Sequence, residues 1–296
     1  MYKNMTDKKR FDIFATIVLF TLVTVVLLPI ILIVIASITD EKTLLAGGYT
    51  FFPSRFSTAS YFYMIRQGTT IIRAYGISIL VTSAGTAGSV ILTTMLAYPM
   101  SRQNFKYKNL LAFFVFFTML FNGGVVSSFI MWTRIFVIRN TIWALIIPNY
   151  LVTAFNVFLV RNYYVRSIPD SLIESAQIDG AGELVIFRKV MLPLAVPTVA
   201  TISLFTGLIY WNDWINGLYY ITDVKYFNIQ NLLIRIMNNI QFLRTNIVLI
   251  GTQKLDLPGS SIRMALAVIG ILPILVIYPF VQKHLIRGVV VGAIKG

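Results

Sequence analysis

The sequence predicts an all-α integral membrane protein with six transmembrane helices and both termini cytoplasmic. Three observations predict it. Of 296 residues, 57% are hydrophobic and only 12% charged, about half the charged fraction of a soluble domain, and the mean hydropathy is +0.78. Apolar runs recur that approach the roughly 20 residues a helix needs to cross a bilayer. Lys and Arg are spread unevenly between them: segments 1–10, 101–108, 161–192 and 283–296 hold 14 in 64 residues, whereas 39–73, 134–140 and 213–263 hold 11 in 93. The denser set belongs on the cytoplasmic side. Residues 1–296 read as one transmembrane domain.

The first span is expected over Phe11 to Ile38, after the basic Lys8-Lys9-Arg10. Its apolar core is nearly twice that of a secretory signal, about 7–15 residues, so it is read as a retained helix. A polar loop, 39–73, leads to the second span, Ala74 to Met100. This span is dense in Ser, Ala and Gly from Ser83 to Ser89, which lets helix backbones pack closely in lipid. The third span, Asn109 to Thr133, is interrupted at Asn122-Gly123-Gly124, and the fourth, Thr141 to Val160, near Pro148-Asn149. The fifth runs from Leu194 to Tyr210. Residues 213–261 form the longest polar connection, on the outer side, with Leu232, Leu233 and Ile236 at amphipathic helical spacing. The sixth span, Ile262 to Val281, leads into a cytoplasmic tail, 283–296.

The polar stretch 166–193 interrupts this pattern on the inner side. Ser167 and Asp170 have capping-box spacing, with Pro169 at the first turn. Leu172, Ile173 and Ala176 make a short apolar stripe, and Gly180 and Gly182 end the helix after about three turns. A second amphipathic piece runs from Glu183 to Leu192, into Pro193. The small side chains of Ser175, Ala176, Gly180 and Ala181 let another backbone approach, and Glu174 and Asp179 set charges beside them. From spacing alone this is either a knob that docks on another protein or a loop lying on the bilayer surface.

The formal charge of +14 is distributed over loops and span ends, which fits anionic lipid headgroups and not nucleic acid. With no Cys and one His, His284, the chain offers no disulfide, thiol chemistry or metal set. It has no GxxxxGK[ST] phosphate-binding loop, so it does not bind ATP by that route, and no paired carboxylates, Ser/His/Asp set or metal cluster stands out, as a membrane enzyme would need. It shows no internal repeat of the sort that secondary carriers use.

Residues 174–193, ESAQIDGAGELVIFRKVMLP, resemble the EAA loop of importer permeases of the ATP-binding cassette class. Glu174, Ala176, Asp179, Gly180, Ala181, Leu192 and Pro193 match its pattern, and Ser175 replaces the first Ala. Further pieces are FNGG at 121–124, NTIWALIIPNY at 140–150, FNVFLVRNYY at 155–164, WNDWINGLYY at 211–220 and GAIKG at 292–296. Their order and spacing are similar to the carbohydrate-importing, maltose-permease-like members, nearest to those for complex oligosaccharides and polysaccharides. One departure is VVSSFIMW at 125–132, where relatives usually carry a Pro soon after the Gly pair.

The resemblance implies the type I importer permease fold in a prokaryotic cell membrane. The partners it implies are a second homologous permease, two ATPase subunits and an extracellular sugar-binding protein. ATP and Mg2+ would sit on the ATPases and no cofactor on this chain. The coupling residues would be Glu174, Ala176, Asp179, Gly180, Ala181 and Pro193, and the tail residues Gly292, Ala293, Lys295 and Gly296 would also contact the ATPase. The outer loop would reach the binding protein, by position only. Asn122, Asn149, Tyr150, Asn156, Trp211, Asn212 and Trp214 supply the aromatic faces and amides that suit a sugar path. Taken singly, the Trp and Tyr also fit interfacial anchoring, and the Asn interhelical hydrogen bonding. The alternatives are a permease for a different solute, or a secondary transporter.

Overall fold

The computed structural model describes residues 5–66, 68–148, 150–250 and 259–293. In chain order the helices are α1 (Met5–Ser37), α2 (Glu41–Gly47), α3 (Ala59–Arg66), α4 (Gly68–Ser101), α5 (Lys108–Leu120), α6 (Gly124–Ile130), α7 (Trp143–Ile146), α8 (Ala154–Ser167), α9 (Asp170–Ile178), α10 (Glu183–Ile186), α11 (Leu192–Leu194), α12 (Val196–Trp211), α13 (Ile215–Tyr220), α14 (Ile229–Ile250) and α15 (Ser260–Ala293). Among the described residues, α1 from Lys8 and α4 are each long and apolar enough to cross a membrane alone. Two further candidates are bent pairs: α5 with Gly124–Ile135, at 113°, and Glu183–Leu194 with α12, at 79°. The first bend falls at the expected Asn122-Gly123-Gly124 interruption. The fourth expected span is divided between α7 and α8. The connection 213–261 is largely helical, because α14 buries the stripe Leu232, Leu233, Ile236 and Ile240.

The contacts divide the chain into two units. The larger comprises 69–234 and 274–296. In it, α4 buries one face through Ala74, Ser78, Val81, Gly85 and Ser89. Gly85 lies under the ring of Tyr210 on α12, where a Cβ would sit 2.5 Å from Cζ. Tyr210 is buried, and its hydroxyl donates to the Ile146 carbonyl at 2.7 Å. Toward the other end of α4, Ala97 and Met100 join Val157, Val160, Tyr164, Ile168, Ile173, Ile186, Phe187, Met191, Ala195 and Ile202 in one apolar core. On α5, Phe113, Phe114, Phe116 and Phe117 stay exposed, as suits a helix facing lipid.

The smaller unit comprises 1–68 and 235–273. Most of α1 is exposed apolar surface, from Phe11 to Val34, and only its end buries Ala36 and Ser37. There the chain is tied by Ser57 N–H to the Ile38 carbonyl (2.8 Å), Asp40 N–H to the Arg55 carbonyl (3.1 Å) and a Ser37–Tyr61 hydroxyl pair (2.8 Å). The N-terminus of α15 leaves backbone donors that need partners, and Glu41 supplies them. Its carboxylate accepts from Ser260 N–H (2.9 and 3.0 Å), Ser261 N–H (2.9 Å) and the Ser261 hydroxyl (3.0 Å). The Ser261 hydroxyl in turn accepts from Ser60 at 2.8 Å. Burial raises the pKa of Glu41, but the hydrogen bonds from Ser261, Ser260 and Gly259 outweigh it and hold the carboxyl below its usual value.

Candidate functional site

The end of α8 turns sharply at Ile168, which is buried, and Pro169 precedes α9. The expected Ser167–Asp170 capping box does not form: no side chain caps α9. Ser167 is still the last residue of α8, and the Asp170 carboxylate instead accepts from Gln103 Nε2 at 2.9 Å.

Across α9 the faces divide. Ile173 is 4% exposed and belongs to the core, while Leu172 is 45% exposed and Glu174, Ser175 and Ile178 face outward. The helix closes in a Schellman motif. Gly180 N–H reaches the Gln177 carbonyl (3.0 Å), and Ala181 N–H reaches back to Ala176 (2.9 Å). Gly180 has φ +78°, the left-handed backbone that glycine adopts without cost. Ala176 and Ala181, the residues a Schellman turn brings into contact, both pack on the core. The small-residue pattern thus has a structural cause as well as a docking value. It makes a tight knob with Ile178, Asp179, Gly180 and Gly182 exposed at its tip.

Beyond the knob, α10 anchors through Ile186 and continues as a π-helical stretch, Phe187–Met191, into α11, where Pro193 is exposed in the first turn. The loop after α4 flanks the knob. Arg102, Gln103 and Asn104 line one wall of a cleft, and Asp170, Ile173, Glu174 and Gln177 line the other. Of the tail residues, Gly292 and Ala293 fall at the end of α15, and Lys295 and Gly296 lie outside the described residues.

The proposed path residues divide. Asn149 lies outside the described residues. Asn122 is exposed and accepts from Gly124 N–H at 2.8 Å, which shapes the bend between α5 and α6. Asn156 is buried and donates to the Thr206 hydroxyl at 3.2 Å, an α8–α12 contact. Trp211 is buried, with its ring 6.2 Å from that of Tyr75. Asn212 and Trp214 are exposed.

Between them sits Asp213, a residue that sequence reasoning passed over. It is 3% exposed. Its Oδ1 accepts from Tyr150 Oη (3.3 Å) and from the Ile215 and Asn216 N–H groups (both 3.1 Å). Its carbonyl accepts from Asn228, whose own Oδ1 accepts from Asn231 N–H at 2.9 Å. Asn216 donates to the Pro148 carbonyl at 3.2 Å, and Tyr150 meets Tyr210 edge-on at 5.7 Å. The broken region near Pro148, the end of α12, α13 and the start of α14 thus meet in one polar hub. Asp213 Oδ2 has no hydrogen-bond partner among the described residues. A lone acid at a span end was the available signal, since intramembrane or span-end carboxylates are costly unless used. Among the described residues no group of His, Cys, Asp and Glu could hold a metal.

Residues 89–291 match the family described as "Binding-protein-dependent transport system inner membrane component". The chain is 35% identical over 284 residues, 96% of its length and 97% of the relative's, to the polygalacturonan/rhamnogalacturonan transport system permease protein YtcP of Bacillus subtilis (strain 168). It is 34% identical to LplC of the same strain, over 99% of this chain and 97% of that protein. Among solved structures it is similar to a chain of a bacterial ABC transporter involved in the import of the acidic polysaccharide alginate. That match has a TM-score of 0.77 and 26% identity, and covers 96% of this chain and 99% of that one.

Proposed function

Because the chain belongs to the family of binding-protein-dependent transport system inner membrane components, a multi-pass membrane transport subunit and not an enzyme, we propose that it carries an oligosaccharide inward. Six spans with cytoplasmic termini pair with a second homologous permease. Two ATPase subunits bind ATP and Mg2+, and an extracellular binding protein delivers the sugar. One observation carries the coupling role: an exposed, tightly turned knob at 174–182 backed by the buried anchors Ile173, Ile186 and Phe187. Such a knob can transmit a push without collapsing. Glu174, Ala176, Asp179, Gly180, Ala181 and Pro193 form that surface, and the tail residues Gly292, Ala293, Lys295 and Gly296 also contact the ATPase.

The solute class is supported by relatives whose names include polygalacturonan, rhamnogalacturonan and arabinooligosaccharides. The site adds support, because Trp214 offers an exposed aromatic face beside the exposed amide of Asn212, which donates to the Leu208 carbonyl at 2.9 Å. The test is purification of the chain with its natural complex, subunit identification by mass spectrometry, and ATP hydrolysis measured against a panel. The panel holds oligogalacturonides, rhamnogalacturonan fragments, alginate oligomers, arabino-oligosaccharides, amino acids and phosphate. Stimulation by one of the saccharides is expected. Stimulation by amino acids or phosphate alone, or the absence of an ATPase subunit, contradicts the reading.

A further inference from the structure

Three elements converge on one carboxylate beside the knob. Tyr98 Oη, near the end of α4, donates to Glu183 Oε2. Arg102 Nη2 lies 3.5 Å from Glu183 Oε1. Gln177, in the last turn of α9, donates to the same Oε1 at 3.2 Å. The guanidinium of Arg102 lies 5.8 Å from the Tyr98 ring centre, and that ring is 5.3 Å from the ring of Phe187. Two residues before Arg102, the Met100 carbonyl accepts from Arg161 Nε on α8 at 3.0 Å. Gln103 adds its bond to Asp170 at the start of α9.

We propose that Glu183, with Tyr98 and Arg102, clamps the coupling knob to α4, so that a push on the knob moves α4 with it. This deepens the coupling role proposed above and rests on it. Four observations favour a transmitting role over a decorative surface pair. The clamp joins residues 85 apart in sequence (Tyr98 and Glu183). Arg102 is held in place, with only 14% of its side chain exposed, while its partner Glu183 is 59% exposed. Pro99 has no N–H, so the last turn of α4 lacks one backbone hydrogen bond, and the clamp adds a tie there. Further along, α4 carries the hub: Gly85, at mid-helix, supports Tyr210, and Ser78 Oγ accepts from Ile229 N–H at 2.8 Å. One continuous helix, α4, connects the two over about 20–30 Å between Tyr98 and the contacts at Gly85 and Ser78. Tyr98, Arg102 and Glu183 are positioning residues in this scheme, since none touches solute or nucleotide.

The experiment uses the whole complex in proteoliposomes, with oligogalacturonide-loaded binding protein as the probe. It reads ATPase retention, basal hydrolysis and sugar imported per ATP. Glu183→Ala is expected to keep the ATPases and basal hydrolysis while sugar per ATP falls roughly 2- to 30-fold. Tyr98→Phe or Arg102→Ala should lower the ratio alone, and add nothing on the Glu183→Ala background. The exchange of Arg102→Glu with Glu183→Arg should recover part of the loss, and Glu183→Gln should fall between. Additive effects in the double variants overturn the clamp, as does release of the ATPases by Glu183→Ala, which would make Glu183 a docking residue. Gly180→Asp runs alongside. If it uncouples and Glu183→Ala transports normally, the coupling knob stands and the clamp is wrong. If neither changes the ratio, the coupling role itself fails and the clamp with it.

Discussion

Replacing each of two neighbouring residues on α9 separates what holds the knob from what it presents. Ile173 is 4% exposed and sits among Ile168, Ile186, Phe187 and Met191. Ile173→Ala removes three carbons from a packed core, and buried Ile-to-Ala changes cost about 2–5 kcal/mol, transfer and cavity together. Ile186 and Phe187 are anchored on α10 and the stretch after it, so the cavity cannot close by a simple shift of α9, which places the cost in the upper half of that range. Leu172, one residue earlier, is 45% exposed. Leu172→Ala leaves no cavity and should alter stability by no more than about 0.5 kcal/mol. Thermal unfolding of the purified chain in detergent should therefore drop by several degrees for Ile173→Ala and stay put for Leu172→Ala. Retention of ATPase subunits on an affinity column should show the reverse emphasis. Leu172→Ala should weaken retention at unchanged stability, because Leu172 lies on the outward side of α9 next to the proposed docking surface at 174–182. A stable Ile173→Ala, or a Leu172→Ala that melts early and binds normally, would refute the assignment of the two faces.

Gly85→Val should place side-chain atoms within the Tyr210 ring and break its bond to the Ile146 carbonyl, costing about 1–3 kcal/mol for overpacking and about 1–3 kcal/mol for the buried group left unpaired; a lowered melting temperature checks it. Glu41→Gln should weaken the start of α15 by about 1 kcal/mol, since a carboxylate suits a helix N-terminus better than an amide. The same contact is full at neutral pH. Because the folded pKa of Glu41 is depressed, its contribution is complete above the unfolded value and is lost as pH falls through the folded one. Wild type should thus lose its advantage over Glu41→Gln only in acid, below the usual carboxylate pKa, as followed by melting across pH. Asn156→Ala should cost about 0.6–1.7 kcal/mol of stability through the lost α8–α12 bond. Asn212→Ala and Trp214→Ala should cost less stability and more sugar uptake, with ATPase subunits retained.

Much of the membrane pattern was legible in the sequence because lipid imposes length and apolarity directly. The interruptions at Asn122-Gly123-Gly124 and near Pro148 were visible because Gly and Pro mark breaks by backbone chemistry alone. Gly180 was legible for the same reason, and its φ of +78° is what a glycine after a helix provides. The break between Glu183–Leu194 and α12 was marked by Pro193, but its angle of 79° was not legible, since the spacing of residues carries no angle. The capping box at Ser167 was misread because Ser167 is still in α8. Asp213 and Glu183 were given no role because the meaning of each comes from partners distant in sequence: Tyr150 in one case, Tyr98 and Arg102 in the other. The path residues were chosen by type, and type does not distinguish the buried Asn156, spent on Thr206, from the exposed Asn212.

The most direct test of the account places a single thiol at the tip of the knob. The chain has no cysteine, so Ile178→Cys, at a side chain 86% exposed, introduces the only one. A short thiol-reactive photo-crosslinker attached there, in membranes that contain the assembled complex, should capture the ATPase subunit, with a yield that changes when ATP is added. Capture of the extracellular binding protein, or of lipid alone under conditions where the ATPase co-purifies, would contradict the claim that residues 174–182 couple this permease to ATP hydrolysis.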